Sequence, residues 1–451
     1  MHDQKLSRRN LLKLMGAGSA ALALAACAPA AGPGGSSEGG DAPDAAKKEM
    51  SIATFAAVLH DWQREFAARW ADENPDVDLT IEEVVYGEMG KLQLARSASG
   101  TLWDLVFSGI KWFPFSASKG MFLALDDMME VRAEDAKLDD FFPAALAGGY
   151  LDGALYGLPY EIHPGNPALV AINVDYWEEK GVPLPVDDEW DVMQYRDIAE
   201  SLTDIDNNMY GTDYWPGNYY DFQSLVRAFG AEIMDESHDN FVFNMDDTNI
   251  EAAEWIWSLR ADRNVAVPQE MMLEGVDFTA GALASDVTGS YSVNRYITEI
   301  GDSFNVDFAI FPYGPDGSRG FTAFTSNYSC YSETNHPDEA VDLLLYLSST
   351  EAGLWSALEQ GTGQPNARFS VWEDETLLSQ SHPIFERVLN KLYRDDALDG
   401  SFPIPSNLRF QELQDNWANT MPELFHGNVP FEEGMQAVQD ACQEIMELPR
   451  A

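Results

Sequence analysis

The residues best placed to do chemistry in this sequence are carboxylates and aromatic rings beside breaks in the chain. Glu88, Asp104 and Glu161 sit at or near the ends of apolar runs, and Tyr214-Trp215-Pro216-Gly217-Asn218-Tyr219-Tyr220 crowds aromatic rings into one turn. Carboxylates, amides and guanidinium groups grip hydroxyls by several hydrogen bonds at once, and aromatic faces stack on flat or apolar rings. The aromatic turn has two readings at this level, a stacking platform for a ligand or a loop folded back on its own domain. Covalent chemistry finds little support. Seventy-five acidic residues guarantee accidental pairs, and no HExxH, P-loop, nucleophile elbow or metal-spaced Cys/His set is present. Asp204 to Gly211 alternates acidic residues, but Met209 and Trp215 stand where a calcium loop needs Gly and Glu. It reads as a polar turn. No cofactor or metal is expected. A secreted polysaccharide-active enzyme working through paired carboxylates stays as a rival.

The elements that must position these residues begin after a long leader. Ser7-Arg8-Arg9-Asn10-Leu11-Leu12-Lys13, an apolar run to Ala26 and Leu24-Ala25-Ala26-Cys27 are similar to a twin-arginine export signal that ends in a lipobox. Residues 1–26 are therefore expected to be a signal peptide. Cys27 is the lipidation site, and residues 27–48 form the anchor and flexible linker. This places the folded body outside the cytoplasm, tethered to the outer face of the cell membrane or in the periplasm. The remaining length suffices for two or three domains, and 45% hydrophobic residues describe a chain with a real core. A net charge of −48 excludes nucleic acid as a partner and favours solubility. Cys330 and Cys442 read as two buried free thiols, with a disulfide between them the alternative.

Strand, helix, strand, helix, strand is the pattern from Ser51 to Phe107, an α/β arrangement with a mainly parallel sheet. Ligands sit at the carboxyl ends of such strands, which points to residues 55–60, 86–88 and 108–112. Tyr156-Gly157-Leu158-Pro159-Tyr160-Glu161 breaks the chain, and Ala168 to Ile172 then reads as a buried strand. The chain is expected to cross here between two packed units, with a ligand beside the crossing. Further on, Trp190–Leu202, Phe278–Ala284, 383–393, Leu408–Phe425 and Phe431–Met446 read as helices. Val306–Ile310 and Phe321–Cys330 read as strands.

Several short motifs recur in a fixed order. They are Ser99-Gly100-Thr101 with Asp104-Leu105-Val106, Tyr156-Gly157-Leu158-Pro159 with Asn173, and Phe278 with Gly281. Gly289-Ser290-Tyr291, Phe311 to Gly317, His336 to Ala340 and Gly363-Gln364-Pro365 follow. This ordered set resembles the extracellular solute-binding proteins of the sugar-binding type that serve ABC importers. The resemblance implies an α/β, two-lobed, periplasmic-binding-protein-like fold that closes on a ligand about three crossings. It implies a first lobe of 49–160 plus 326–380 and a second of 161–320 plus 381–451. The second crossing would lie near Gly320–Thr325 and the third near 375–382. Ligand contacts are implied at Tyr86, Ser108, Trp112 and Asn166 by the first lobe, at Trp215 and Tyr291 in the second, and at Arg409 or Phe410 in the returning helix. Glu161, Tyr219, Asn327 and Asn366 are further candidates. The implied partners are a small sugar and the permease, with the protein a monomer. A non-sugar solute such as a peptide, polyamine or organic anion is the alternative, with Arg295, Arg319 and Arg409 able to neutralise an anion.

Overall fold

The strand Lys48–Phe55 lies at the heart of a six-stranded mixed sheet. It pairs in parallel with Val77–Val84 on one side and Leu105–Gly109 on the other. The long strand Thr322–Cys330 runs antiparallel to Leu105–Gly109 and, on its other edge, to Leu158–Pro164. A second, three-stranded sheet is antiparallel throughout, with Leu169–Asn173 between Ser285–Thr288 and Val306–Ile310. The protein is described here by a computed structural model. It covers residues 46–56, 61–164, 167–186, 189–215, 217–236, 240–359, 366–380, 392, 402–403 and 408–448. The twin-arginine stretch, Cys27, Asn166 and, apart from Leu392, the expected 383–393 helix lie outside the described residues.

Local chemistry explains the elements. Trp62, Phe66 and Trp70 recur at helical spacing on Asp61–Glu73 and are all buried, so that helix seals one face of the first sheet. Phe66 packs on Tyr346 and Trp355 from the later helices Pro337–Leu347 and Thr350–Glu359, which return to the same lobe. Leu169–Asn173 is buried at every position, as a strand covered on both faces must be. Asn173 ends it and caps the next helix, its Oδ1 accepting from the Tyr176 N–H at 3.2 Å. Asp191 opens Val192–Ser201 with a reciprocal capping box to Gln194. The second lobe's core is built from Trp177, Trp190, Tyr195 and Trp255 around its sheet. Phe222, Phe243 and Trp417 join the helices Tyr219–Ala228 and Phe410–Phe425.

Three sequence expectations change. Phe278–Ala284 is a turn that feeds the Ser285–Thr288 strand, not a helix. The first-sheet strand runs to Pro164, past the expected lobe boundary at 160, because its ladder to residues 323–328 continues that far. The third crossing is not near 375–382: Phe402–Pro403 still pair with Thr322–Ala323 on the first sheet. The chain has reached the second lobe's helices only by Phe410–Phe425, which packs against Phe431–Met446.

Candidate functional site

The first-lobe wall of the crevice forms where parallel strands end. Gly109 closes the Leu105–Gly109 strand, and a Cβ there would come within 2.9 Å of the Tyr86 hydroxyl and 3.3 Å of the Trp112 ring. Only glycine lets both rings lie across the strand end. Tyr86 starts the helix Tyr86–Ala98, and Trp112 precedes the helix Phe113–Ser118. Their ring centroids are 4.8 Å apart, with Phe55 and Phe107 packed behind Tyr86. Tyr86 Oη and Trp112 Nε1 are buried and have no hydrogen-bond partner among the described residues. Burial, followed by the nearby Glu161 carboxyl, pushes the Tyr86 hydroxyl far above its ordinary range. Tyr86 therefore stays a neutral donor.

The second-lobe wall is supplied by the Tyr219–Ala228 and Phe410–Phe425 helices. A cavity of about 470 Å³ opens between Tyr86, Lys111 and Trp112 on one side and Leu408, Gln411 and Asp415 on the other. Lys111 crosses it, with its ammonium 5.5 Å from the Tyr86 ring and 5.4 Å from the Tyr220 ring. Within the second lobe, a cavity of about 360 Å³ is lined by Asp213, Trp215, Asp286, Tyr291 and Arg295, among others. Burial pushes the Tyr291 hydroxyl above its ordinary range, with the Asp221 carboxylate adding to it. Trp215 stacks on His426 at 4.7 Å, with the Arg260 guanidinium 4.5 Å from its ring. Burial, and then the adjacent Asp213, hold the Asp286 carboxyl well above the usual range. The Tyr296 hydroxyl donates to Asp286.

The predicted residues divide into three groups. Tyr86 and Trp112 face the larger cavity, and Trp215 and Tyr291 face the smaller one. Ser108, Asn327 and Glu161 lie deeper, in the first sheet, and line neither cavity. Asn327 stands opposite Ser108 across the ladder and donates to the Gly148 carbonyl at 2.8 Å. Ser108 Oγ, Asn327 Oδ1 and Glu161 Oε2 are buried without a partner among the described residues. Burial raises the Glu161 carboxyl to about 7, against hydrogen bonds from Ser326 and Tyr160.

The third group is corrected. Tyr219 is 0% exposed and Phe410 1%, and their rings pack together at 5.0 Å, so they are core. The aromatic turn is thus mostly folded back on its own lobe: Tyr214 and Tyr219 are fully buried, while Trp215 lines the smaller cavity. Arg409 is held by both oxygens of Glu412. Asn366 gives its amide N–H to the Tyr160 carbonyl and accepts from the Arg368 N–H, so it anchors the strand at the crossing. Arg319 lies on Tyr313 and binds the Phe311 carbonyl.

Sequence reasoning missed Lys111, Asp221, Asp415, Asp213 and Asp286. Lys111 falls inside the 108–112 strand end singled out from the sequence, and Tyr220 closes the aromatic turn, so those segments were found but Lys111 was not singled out. Nothing in the sequence marks Asp415 on an amphipathic helix or Asp286 in a buried strand.

With this geometry in view, comparison with known proteins defines the class. The family model for bacterial extracellular solute-binding proteins matches residues 56–354, and this chain belongs to that family. Solved structures agree in fold. An ABC substrate-binding protein from Listeria monocytogenes in complex with cycloalternan matches with a TM-score of 0.76 at 18% identity, over 89% of this chain and 99% of that one. The GacH receptor of Streptomyces glaucescens, solved unliganded and with acarbose, matches at 0.73 and 20%, over 89% and 99%. UgpB from Mycobacterium tuberculosis in complex with glycerophosphocholine matches at 0.74 and 16%, over 89% and 99%. No curated protein sequence matches this chain. Among the described residues no helix is long and apolar enough to cross a membrane, and no group of three or more acidic, His or Cys side chains is arranged to hold a metal ion.

Proposed function

We propose that this chain is the substrate-binding component of an ABC importer and takes a sugar or oligosaccharide between its lobes. The observation that carries this reading is the pair of partnerless buried atoms, Tyr86 Oη and Trp112 Nε1, set beside aromatic faces at a crevice between lobes. A sugar offers hydroxyls to such atoms and C–H faces to such rings. The oligosaccharides bound by the Listeria and Streptomyces relatives point to the same ligand class. Tyr86 and Trp112 would contact the ligand from the first lobe, and Trp215 and Tyr291 from the second. Ser108, Asn327 and Glu161 would support the wall from behind. Closure of the lobes then draws affinity from both sides, and the ligand leaves chemically unchanged. The twin-arginine-like leader and Cys27 support export to a lipid-anchored position outside the cytoplasm, within reach of a permease.

The test is thermal unfolding of the purified protein against mono- and oligosaccharides, polyols and glycerophosphocholine, with native mass spectrometry of whatever ligand co-purifies. A ligand at about 100 times its Kd adds about 2.7 kcal/mol, a rise of about 3 °C for a body of this size. A rise with sugars supports the reading. A rise confined to glycerophosphocholine, or none across the panel, refutes it.

A further inference from the structure

Lys111 reaches from the first lobe to side chains of the second across the crevice. It sits in the short link between the Leu105–Gly109 strand and Trp112. Its ammonium is between two ring faces, one from each lobe, Tyr86 at 5.5 Å and Tyr220 at 5.4 Å. Burial holds the Lys111 ammonium below its ordinary range, and two carboxylates of the second lobe, Asp221 and Asp415, offset part of that by favouring its charged form. Aromatic faces with carboxylates nearby are how proteins hold organic ammonium groups. Here the ammonium is the protein's own. Tyr220 is 7% exposed and packs on Phe324 and Phe410, so its ring is fixed and cannot turn away. The charges that line the larger cavity are of opposite sign on its two sides: Lys91 and Lys111 on the first-lobe side, Glu412 and Asp415 on the second. A cation projecting from the one wall therefore faces carboxylates on the other.

We infer that Lys111 is a latch built into the ligand crevice: it holds the lobes together through Tyr220, Asp221 and Asp415. By filling the slot between Tyr86 and Tyr220 it also bars cationic ligands from the crevice. The inference rests on the reading of this crevice as the ligand site, yet its test needs no sugar. A ligand that stacks on either ring must slide past the ammonium or share the slot with it, accepting its hydrogen bonds. A cationic ligand meets an occupied site.

The experiment compares the full chain with Lys111→Met, which keeps side-chain length and removes the charge, and Lys111→Arg, which keeps a cation. Small-angle scattering reads lobe closure. Thermal unfolding in choline chloride, with sodium chloride at equal ionic strength as control, reads the slot. We expect Lys111→Met to have a larger radius of gyration than the parent and Lys111→Arg to match it. We expect choline to raise the melting temperature of Lys111→Met and to leave that of the parent unchanged. An unchanged radius in Lys111→Met overturns the latch. An equal choline response in parent and variant, or none in either, overturns the slot. If Lys111→Met does not fold, the double variant Asp221→Asn, Asp415→Asn leaves Lys111 in place and removes its attraction, and the same increase in radius is expected. A flat sugar panel would leave these readouts intact, so failure of the latch and failure of the sugar reading can be told apart.

Discussion

Replacing Glu161 by Gln should make the protein more stable, by an amount that grows as the pH rises above 4.5 and is complete above about 7. Glu161 is 6% exposed on the Leu158–Pro164 strand, and burial lifts its carboxyl from 4.5 to about 7. Below pH 4.5 both the folded and the unfolded chain carry its proton, and the group makes no difference to folding. Between 4.5 and 7 the unfolded chain gives up a proton that the folded chain keeps. Stability then falls with rising pH at about 1.4 kcal/mol per unit, because the unfolded state binds fewer protons. Above pH 7 the loss is complete, and the shift corresponds to about 3 kcal/mol. Glutamine has the same shape and no proton to lose. The measurement is the difference in unfolding free energy between variant and parent from about pH 4 to about pH 8. Using a difference cancels every other titrating group. The expected curve starts near zero and climbs to about 3 kcal/mol in favour of Gln, or about 3–4 °C in melting temperature. A difference that stays flat with pH would refute the argument. So would a Gln variant that grows less stable as pH rises, since that would mean the carboxylate is charged and well held in the folded protein.

Two further outcomes follow from the same structure. Asn366→Ala leaves the Tyr160 carbonyl and the Arg368 N–H buried without their partner, at a cost of about 3 kcal/mol in denaturant unfolding; no loss beyond about 0.5 kcal/mol would refute the anchoring role. Cys330 and Cys442 are free and buried, with burial pushing the Cys442 thiol up to about 12 and Cys330 higher still. A thiol reagent should therefore find neither in the folded protein and both after unfolding, in a Cys27→Ser chain that has not been reduced. Detection of no thiols after unfolding would indicate a disulfide.

The sequence was most readable where a period or a cap declared an element. The Trp62, Phe66, Trp70 stripe and the all-apolar 168–172 run could take few other forms, and the Phe431–Met446 helix appears with the expected ends. It was least readable where tertiary contact reversed a local rule. A turn with Pro and Gly should expose its rings, yet Tyr214 is drawn under Trp255 and Phe311, and Tyr219 under Phe410. No pattern of spacing reveals that a helix beginning near residue 410 will cover a loop near residue 215. Asn366 shows the same limit at a single side chain. Its amide looks equally suited to a ligand hydroxyl or to a peptide group, and only the arrival of Tyr160 from 206 positions away decides between them.

The crevice itself belongs to that second class, and this has a consequence for how its specificity is encoded. Tyr86 and Trp112 come from one lobe within 27 residues, so their mutual geometry is local and is fixed by Gly109. Lys111 meets Tyr220, Asp221 and Asp415 only when chain segments separated by more than a hundred residues are brought together. The aromatic wall is therefore a property of one lobe, whereas the charge in the crevice is a property of closure. On the proposed reading of this crevice, changes on the second lobe at Asp221 or Asp415 would alter which ligands it admits and leave the rings of the first lobe in place. Selectivity by charge and affinity by stacking would then be carried by separable parts of the chain.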